Sequence, residues 1–291
     1  MFFVQFPHPG PEHNPPFPVM PWNTGAHGRK YLLARGRYLD QADQLEDGDL
    51  VFWGEWEPPS RIVTRWPPDG RLPRVLHRPY WSRPTSGGWR QNTDPWVFGQ
   101  QMIYSNCKQT LRPDHRPTAM QRLTRGSVIC FGSALGGEFC VDTVLVVASA
   151  QRWSPADAPS AQIGQAFAVC TADSLASGND DYAHARLTLY QGATIDDPID
   201  GMYSFVPALP VTEEYPRFAR SPVRIPGLIN PASTQSAYGA NRNLPAGNVR
   251  NAWEGIRHQI LTAGLVLAVQ LDTPEHEAAG VDVPPTTRDK C

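Results

Sequence analysis

The chain has 291 residues, 41% of them hydrophobic, enough to bury one large core or two small ones and to exclude disorder over most of its length. No apolar run reaches 18 residues, and the start Met1–Phe6 lacks the basic segment of a signal peptide, so the sequence predicts a cytoplasmic protein with no membrane partner. The net charge of −2 hides an asymmetry: residues 1–60 sum to −4, residues 61–125 carry twelve basic against three acidic groups (+9), and residues 126–291 sum to −7.

In chain order, Phe2–Phe6 reads as a short buried strand, broken at once by a loop with prolines at 7, 9, 11, 15 and 16, through which no helix propagates. Arg29–Leu39 fits neither the helical nor the strand period. Leu50–Glu57, aromatic and β-branched at its start and closed by Pro58 and Pro59, reads as a strand, with Ser60–Trp66 returning beside it as a hairpin partner. Val128–Gly132 and Phe139–Val147 flank a Gly136–Gly137 turn and predict a second hairpin. Residues 151–185 read as a connection with a short helix, followed by strands at Leu187–Tyr190 and Met202–Val206. Asn248 is positioned to cap a helix running to about Ala268, with Val249, Trp253, Ile256, Ile260, Ala263 and Leu267 on one face. The prediction is a β-rich α+β single domain over 1–273, with hairpin-connected strands and a C-terminal helix packed on the sheet, and a flexible tail over 274–291.

Common catalytic signatures are missing. The sequence holds no phosphate-binding loop with its Lys-Ser/Thr, no G-x-G-x-x-G after a strand, no H-E-x-x-H, no G-x-S-x-G and no zinc-deaminase pattern. Five cysteines include no C-x-x-C pair. No metal and no organic cofactor is expected.

Three constellations can carry chemistry. The first loop gathers His8, Glu12, His13 and Asn14 directly after a strand, where a carboxylate beside an imidazole can position or deprotonate water; Trp22 and Asn23 can join the same pocket. At period two, Glu55 and Glu57 share a strand face with Trp53, an acid/base arrangement in which mutual repulsion raises one pKa. The basic stretch 61–125 interleaves arginines, among them Arg74, Arg78, Arg83 and Arg90, with aromatic rings including Trp81, the composition of a nucleic-acid groove: arginines for phosphates, rings for bases. Asn92 and Asp94 offer donor and acceptor groups for a base edge, or form an Asx turn.

His8-Pro9-Gly10-Pro11 resembles the Asn-Pro-Gly-Pro water-positioning loop of the uracil-DNA glycosylase superfamily, with His8 in place of the usual Asn and Phe6 in place of a usual Gly. Ile229-Asn230-Pro231-Ala232-Ser233 is similar to that family's second loop, placed beside the flipped base. The resemblance implies a DNA partner and a base-contacting role for Asn230.

Together these features predict a DNA glycosylase that flips a modified nucleobase and hydrolyses its N-glycosidic bond. His8, Glu12, His13, Asn14 and Glu55 are its candidate catalytic groups. Trp22, Asn23, Trp53, Glu57, Trp81, Asn92, Asp94 and Asn230 contact substrate, and Arg74, Arg78, Arg83 and Arg90 hold the DNA backbone. The alternative is a non-catalytic reader of a modified base or of RNA, because the repeated pattern of Gly-Asp or Gly-Ser before an apolar strand looks like the strand starts of PUA and EVE barrels. A third reading uses the Glu55/Glu57 pair on a sugar or nucleotide. No protein partner is implied.

Overall fold

The computed structural model describes residues 1–8, 10–14, 28–83, 91–111, 116–157, 163–178, 183–233 and 237–277. Strand β1 (Phe3–Pro7) is buried over its first four residues. β2 (Lys30–Leu39) and β3 (Leu45–Gly54) form a long antiparallel hairpin, with Lys30 opposite Gly54 and Leu39 opposite Leu45. The ambiguity over Arg29–Leu39 thus resolves as strand, because neighbours on both sides supply its backbone partners. The Asp40 carboxylate closes the turn by accepting the amides of Ala42 and Gln44, both at 2.8 Å.

β4 (Ser60–Arg65) does not return beside β3 as its sequence suggests. It pairs instead with β5 (Val75–Trp81), a strand inside the basic stretch that the interruption His77-Arg78-Pro79 obscures. β3 ends at Gly54, so Glu55 and Glu57 lie beyond it and share no strand face. β6 (Ile103–Tyr104) is short, and β7 (Thr110–Leu111) pairs only with β8 (Arg116–Pro117). The predicted second hairpin is present and longer than expected, as β9 (Val128–Leu135) and β10 (Glu138–Trp153).

After β10 come two short helices, α1 (Gln165–Phe167) and α2 (Asp173–Gly178), joined by a π turn at Ala168–Ala172. β11 (Leu187–Gly192) follows, then β12 (Val206–Pro210), which starts where the expected strand ends, and the two-residue β13 (Ser221–Pro222). Helix α3 (Ala246–Thr262) buries Val249, Ala252, Trp253, Ile256 and Ile260 at three- and four-residue spacing. It stops short of Ala268 because Gly264, at φ 80°, turns the chain, and the apolar run behind it becomes β14 (Val266–Leu271). The ordered chain also continues past residue 274: β15 (Glu275–His276) lies parallel to β5, and residues 278–291 of the expected tail fall outside the described residues.

Two sheets result. One runs β1-β9-β10-β11-β6 with β13 beside β10; the other runs β14-β12-β3-β2-β5-β15 with β4 beside β5. In the second sheet β14 also pairs with β2, which closes β2, β3, β12 and β14 into a ring. The main core fills the space between the sheets, with Phe6, Phe52, Trp56, Phe98 and Phe131 fully buried, and α3 covers a second apolar face around Phe139, Val144 and Phe205. This is the β-rich α+β architecture with a C-terminal helix packed on sheet. No helix among the described residues is long and apolar enough to cross a membrane.

Candidate active site

The ends of β1 and β3, the start of β2 and a bulge in β10 meet at one buried polar cluster. The His8 amide continues the parallel pairing of β1 by donating to the Gly132 carbonyl at 2.7 Å. This fixes the imidazole against the edges of Phe6 and Phe131, and its Nδ1 lies 2.6 Å from Glu55 Oε2. Arg29 Nη1 donates to the same carboxylate oxygen, and Arg29 Nε lies 3.2 Å from Asp142 Oδ2. Arg220 completes the chain, with Nε 3.7 Å from Asp142 Oδ1 and Nη1 donating to Ser133 Oγ at 2.8 Å. Its guanidinium rests on the Trp53 ring, 4.8 Å from the centroid.

Asp142 reaches this cluster through a break in register. Val141 pairs with Gly132 and Thr143 with Phe131, which leaves Asp142 as the extra residue of a bulge. A charged residue in the middle of an apolar strand is the sequence signal for it.

The electrostatics follow from burial and pairing. Burial alone would raise the Glu55 carboxyl, but His8 and Arg29 outweigh it and hold the group at about 2. The expectation that repulsion between Glu55 and Glu57 raises one pKa is not met at Glu55, which is held as a carboxylate. Burial opposes the charge on Arg29, yet Glu55 and Asp142 keep its pKa above the ordinary value. An ionised Glu55 selects the His8 tautomer with the proton on Nδ1, which leaves Nε2 able to accept one. The Cys107 thiol is pushed well up by burial and by Asp94, Glu55 and Glu57, so it is no thiolate nucleophile. Among the described residues no group of three or more His, Cys, Asp or Glu is arranged to hold a metal ion.

The other candidates divide between fastening the loop and filling the interior. Glu12 Oε1 accepts the amides of Arg74 and Val75 at 2.6 and 3.0 Å, so it pins the first loop to β5 and takes no place beside His8. Asn14 Oδ1 accepts from Arg65 Nη1 at 3.0 Å at the surface. His13 is buried, its ring 5.9 Å from that of His77. Glu57 accepts the Asn92 amide at 2.6 Å inside the protein. The side chains of Asn92 and Asn106 exchange two hydrogen bonds, of 3.1 and 3.0 Å. Asp94 gathers the amides of Ser105, Asn106 and Cys107 at 2.8, 3.0 and 2.6 Å.

Asn92, Asp94 and Glu57 thus organise a buried turn; their polar groups are spent on their own chain and read no base. Trp53 and Trp81 are buried too, the first under Arg220 with its indole N–H on the Phe218 carbonyl, the second against His276 at 4.3 Å. Neither ring face is open for stacking. Asn230 exchanges hydrogen bonds with the Gln5 side chain at 2.8 and 2.9 Å, which ties its loop to β1. Arg74, Arg78 and Arg83 are exposed, and Arg83 Nη1 lies 3.5 Å from Asp173. Trp22, Asn23 and Arg90 lie outside the described residues. Arg29, Asp142, Ser133 and Arg220 are the members that sequence reading missed.

Hairpin β4–β5 beside this cluster is strongly cationic. Arg61, Arg65, Arg74 and Arg78 are exposed on it, and Arg61 stands directly across from Arg78. Like charges in that relation repel unless an anion lies between them or a partner neutralises one; Glu277, 2.9 Å from Arg61, serves that side. Comparison with protein-family models, curated proteins and solved structures gives no match.

Proposed function

We propose that the protein is a DNA glycosylase that hydrolyses the N-glycosidic bond of a modified nucleobase. The observation that carries this reading is the fastening of the His8–Glu55 loop to the arginine hairpin, through Glu12 on the Arg74 and Val75 amides and Asn14 on Arg65. Charge for the phosphates, on the exposed hairpin, is thereby tied to the loop that carries the buried imidazole.

In the proposed reaction His8 Nε2 takes a proton from water as its oxygen bonds to the anomeric carbon. The bond from that carbon to the base nitrogen breaks, the departing base takes up a proton from solvent, and His8 returns its proton to solvent afterwards. Glu55 steadies the imidazolium that forms, and Arg29 holds Glu55 in place. Two loops that resemble the uracil-DNA glycosylase motifs support the reading, since Gln5 binds the Asn230 loop three residues before His8.

Duplex oligonucleotides carrying ordinary or modified bases, incubated with the protein and treated with alkali, test it. Strand cleavage at abasic sites is expected, with Glu55→Gln slower by about 100-fold or more; no cleavage on any substrate overturns the enzyme. The closed ring of β2, β3, β12 and β14 favours a second reading, a PUA- or EVE-like reader. Tight, salt-dependent binding without product selects that one.

A further inference from the structure

We infer that Arg217 is a positioning residue for nucleic-acid binding: it locks the turn of the arginine hairpin in the shape that presents Arg65 and Arg74 to a phosphodiester backbone. This rests on the proposed reading of the hairpin as the DNA-binding surface and adds to it a residue that reaches the hairpin from outside.

The turn itself creates the need. The ladder between β4 and β5 ends where the Trp66 amide donates to the Arg74 carbonyl at 2.8 Å. The next residues outward, Pro67 and Pro73, carry no N–H, so neither can donate the bond that would continue it. Their carbonyls still need donors. Arginines on the two arms also repel, since Arg61 faces Arg78 across the strands.

Arg217 supplies the missing rung. Its Nε donates to the Pro73 carbonyl at 3.0 Å and its Nη2 to the Pro67 carbonyl at 3.3 Å, so one guanidinium ties the chain leaving β4 to the chain entering β5. The same group lies 5.0 Å from the centroid of the Trp66 ring, which covers one of its faces. A planar fork spans two acceptors at fixed spacing; an ammonium carries the charge without that geometry. With Nε and Nη2 spent on carbonyls, Arg217 braces the hairpin and is not one of its phosphate ligands.

The brace is anchored beside the candidate active site. Arg217 belongs to the segment 211–220 between β12 and β13, whose Val211 and Phe218 pack on the buried cluster of Tyr31, Val51 and Trp53. The carbonyls on either side of it, those of Pro216 and Phe218, accept from Tyr31 Oη and Trp53 Nε1, both at 3.0 Å. Three residues on, Arg220 enters the cluster around Asp142. One short segment thus fastens both the hairpin turn and the charge cluster.

Fluorescence anisotropy on the full chain, with an unmodified duplex of about 20 base pairs and salt from about 50 to 200 mM, tests the inference. Arg217→Gln and Arg217→Lys are each expected to weaken binding by about tenfold, because loosened arms have to be ordered again on the DNA. The slope of log Kd against log salt stays within about 0.3 of wild type in both, since the same phosphates are neutralised. Loss of a phosphate contact would instead lower the slope by about 0.9 in Arg217→Gln. That change, or wild-type affinity in Arg217→Lys, overturns the inference. In the free variants the Trp66 and Leu72 amides, bonded to the Arg74 and Asp69 carbonyls, are expected to exchange hydrogen faster, and unchanged exchange also overturns it. Should neither variant fold, the wild-type protein is treated with the arginine reagent phenylglyoxal with and without duplex. Arg65 and Arg74 are then shielded by DNA while Arg217 reacts at an unchanged rate; shielding of Arg217, or of none of the three, overturns the inference. Absence of any duplex binding by the wild-type protein sinks the DNA reading as well, whereas normal wild-type binding with unaltered variants sinks this inference alone.

Discussion

Asp142 sits between two arginines with its side chain 2% exposed, and neither of its oxygens accepts a hydrogen bond of good geometry from a described residue. Its stabilising role is therefore electrostatic: it neutralises Arg29 on one side and Arg220 on the other. Replacing one member of a buried charge group leaves the others uncompensated, which is the expensive kind of loss. Asp142→Asn keeps the volume and removes the charge. It is expected to destabilise the fold by about 3 kcal/mol or more, read as a lower urea midpoint at unchanged slope. A midpoint within error of wild type would show that water compensates the arginines and that the cluster is more open than its burial indicates. Glu55 differs from Asp142 in kind, because it combines good hydrogen-bond geometry to His8 with charge pairing to Arg29, and so orients the base that the proposed reaction needs.

At the level of elements, the bulge in β10 depends on the neighbour across from it. A Cβ on Gly132 would stand 2.1 Å from the Cys140 carbonyl oxygen and 2.8 Å from the Phe139 ring, so backbone has to move before any side chain fits. Gly132→Ala is expected to cost about 1–3 kcal/mol by overpacking and to shift Asp142 out of the cluster. Thermal unfolding and the alkali-cleavage assay check this together, and a variant as stable and active as wild type refutes the role given to the bulge.

The same pair of strands shows what a sequence can disclose. Their hairpin was legible because Gly136–Gly137 separates two apolar runs, and local turn chemistry reports local pairing. Parallel pairing of β1 with β9 was not, since it joins residues some 125 positions apart and leaves no local mark. His8 was legible as a candidate by residue type and by its position after a strand, and Glu55 only through a strand-face pairing with Glu57 that the structure does not contain. Their contact was not, nor was Arg29, because a buried arginine and a surface arginine read alike in sequence. Glu57, Asn92 and Asp94 misled for the converse reason: polar groups that organise a buried turn have the same composition as groups that read a ligand.

Across the whole molecule, burial and pairing of ionisable groups set the response to pH, and three groups act in the same direction. Glu55 is held at about 2, below its unfolded value near 4.5, so its contribution is complete above that value and is lost as pH falls toward 2. Burial and the neighbouring Lys30 lower His77 to about 3; the unfolded chain then binds the extra proton between about 6.5 and 3, and stability falls through that range. Lys30 is brought down to about 7 by burial, partly offset by Glu57, while its Nζ donates to Ser60 Oγ and the Pro58 carbonyl at 3.2 Å. Between about 7 and 10.5 the unfolded chain holds a proton that the folded one has released, so this group makes the fold more stable as pH rises. Buried thiols work against it at the alkaline end: Cys140 is raised to about 11, and an unfolded thiol ionises sooner. The Lys30 contribution is therefore isolated by difference. Relative to Lys30→Met, wild-type protein is expected to gain stability from pH 7 to pH 9 with a slope of up to about 1.4 kcal/mol per pH unit. Urea titrations of both proteins at the two pH values measure it. Parallel curves would mean that Lys30 keeps its proton inside the fold, with Glu57 outweighing burial, and the charge inventory beneath the arginine hairpin would rise by one.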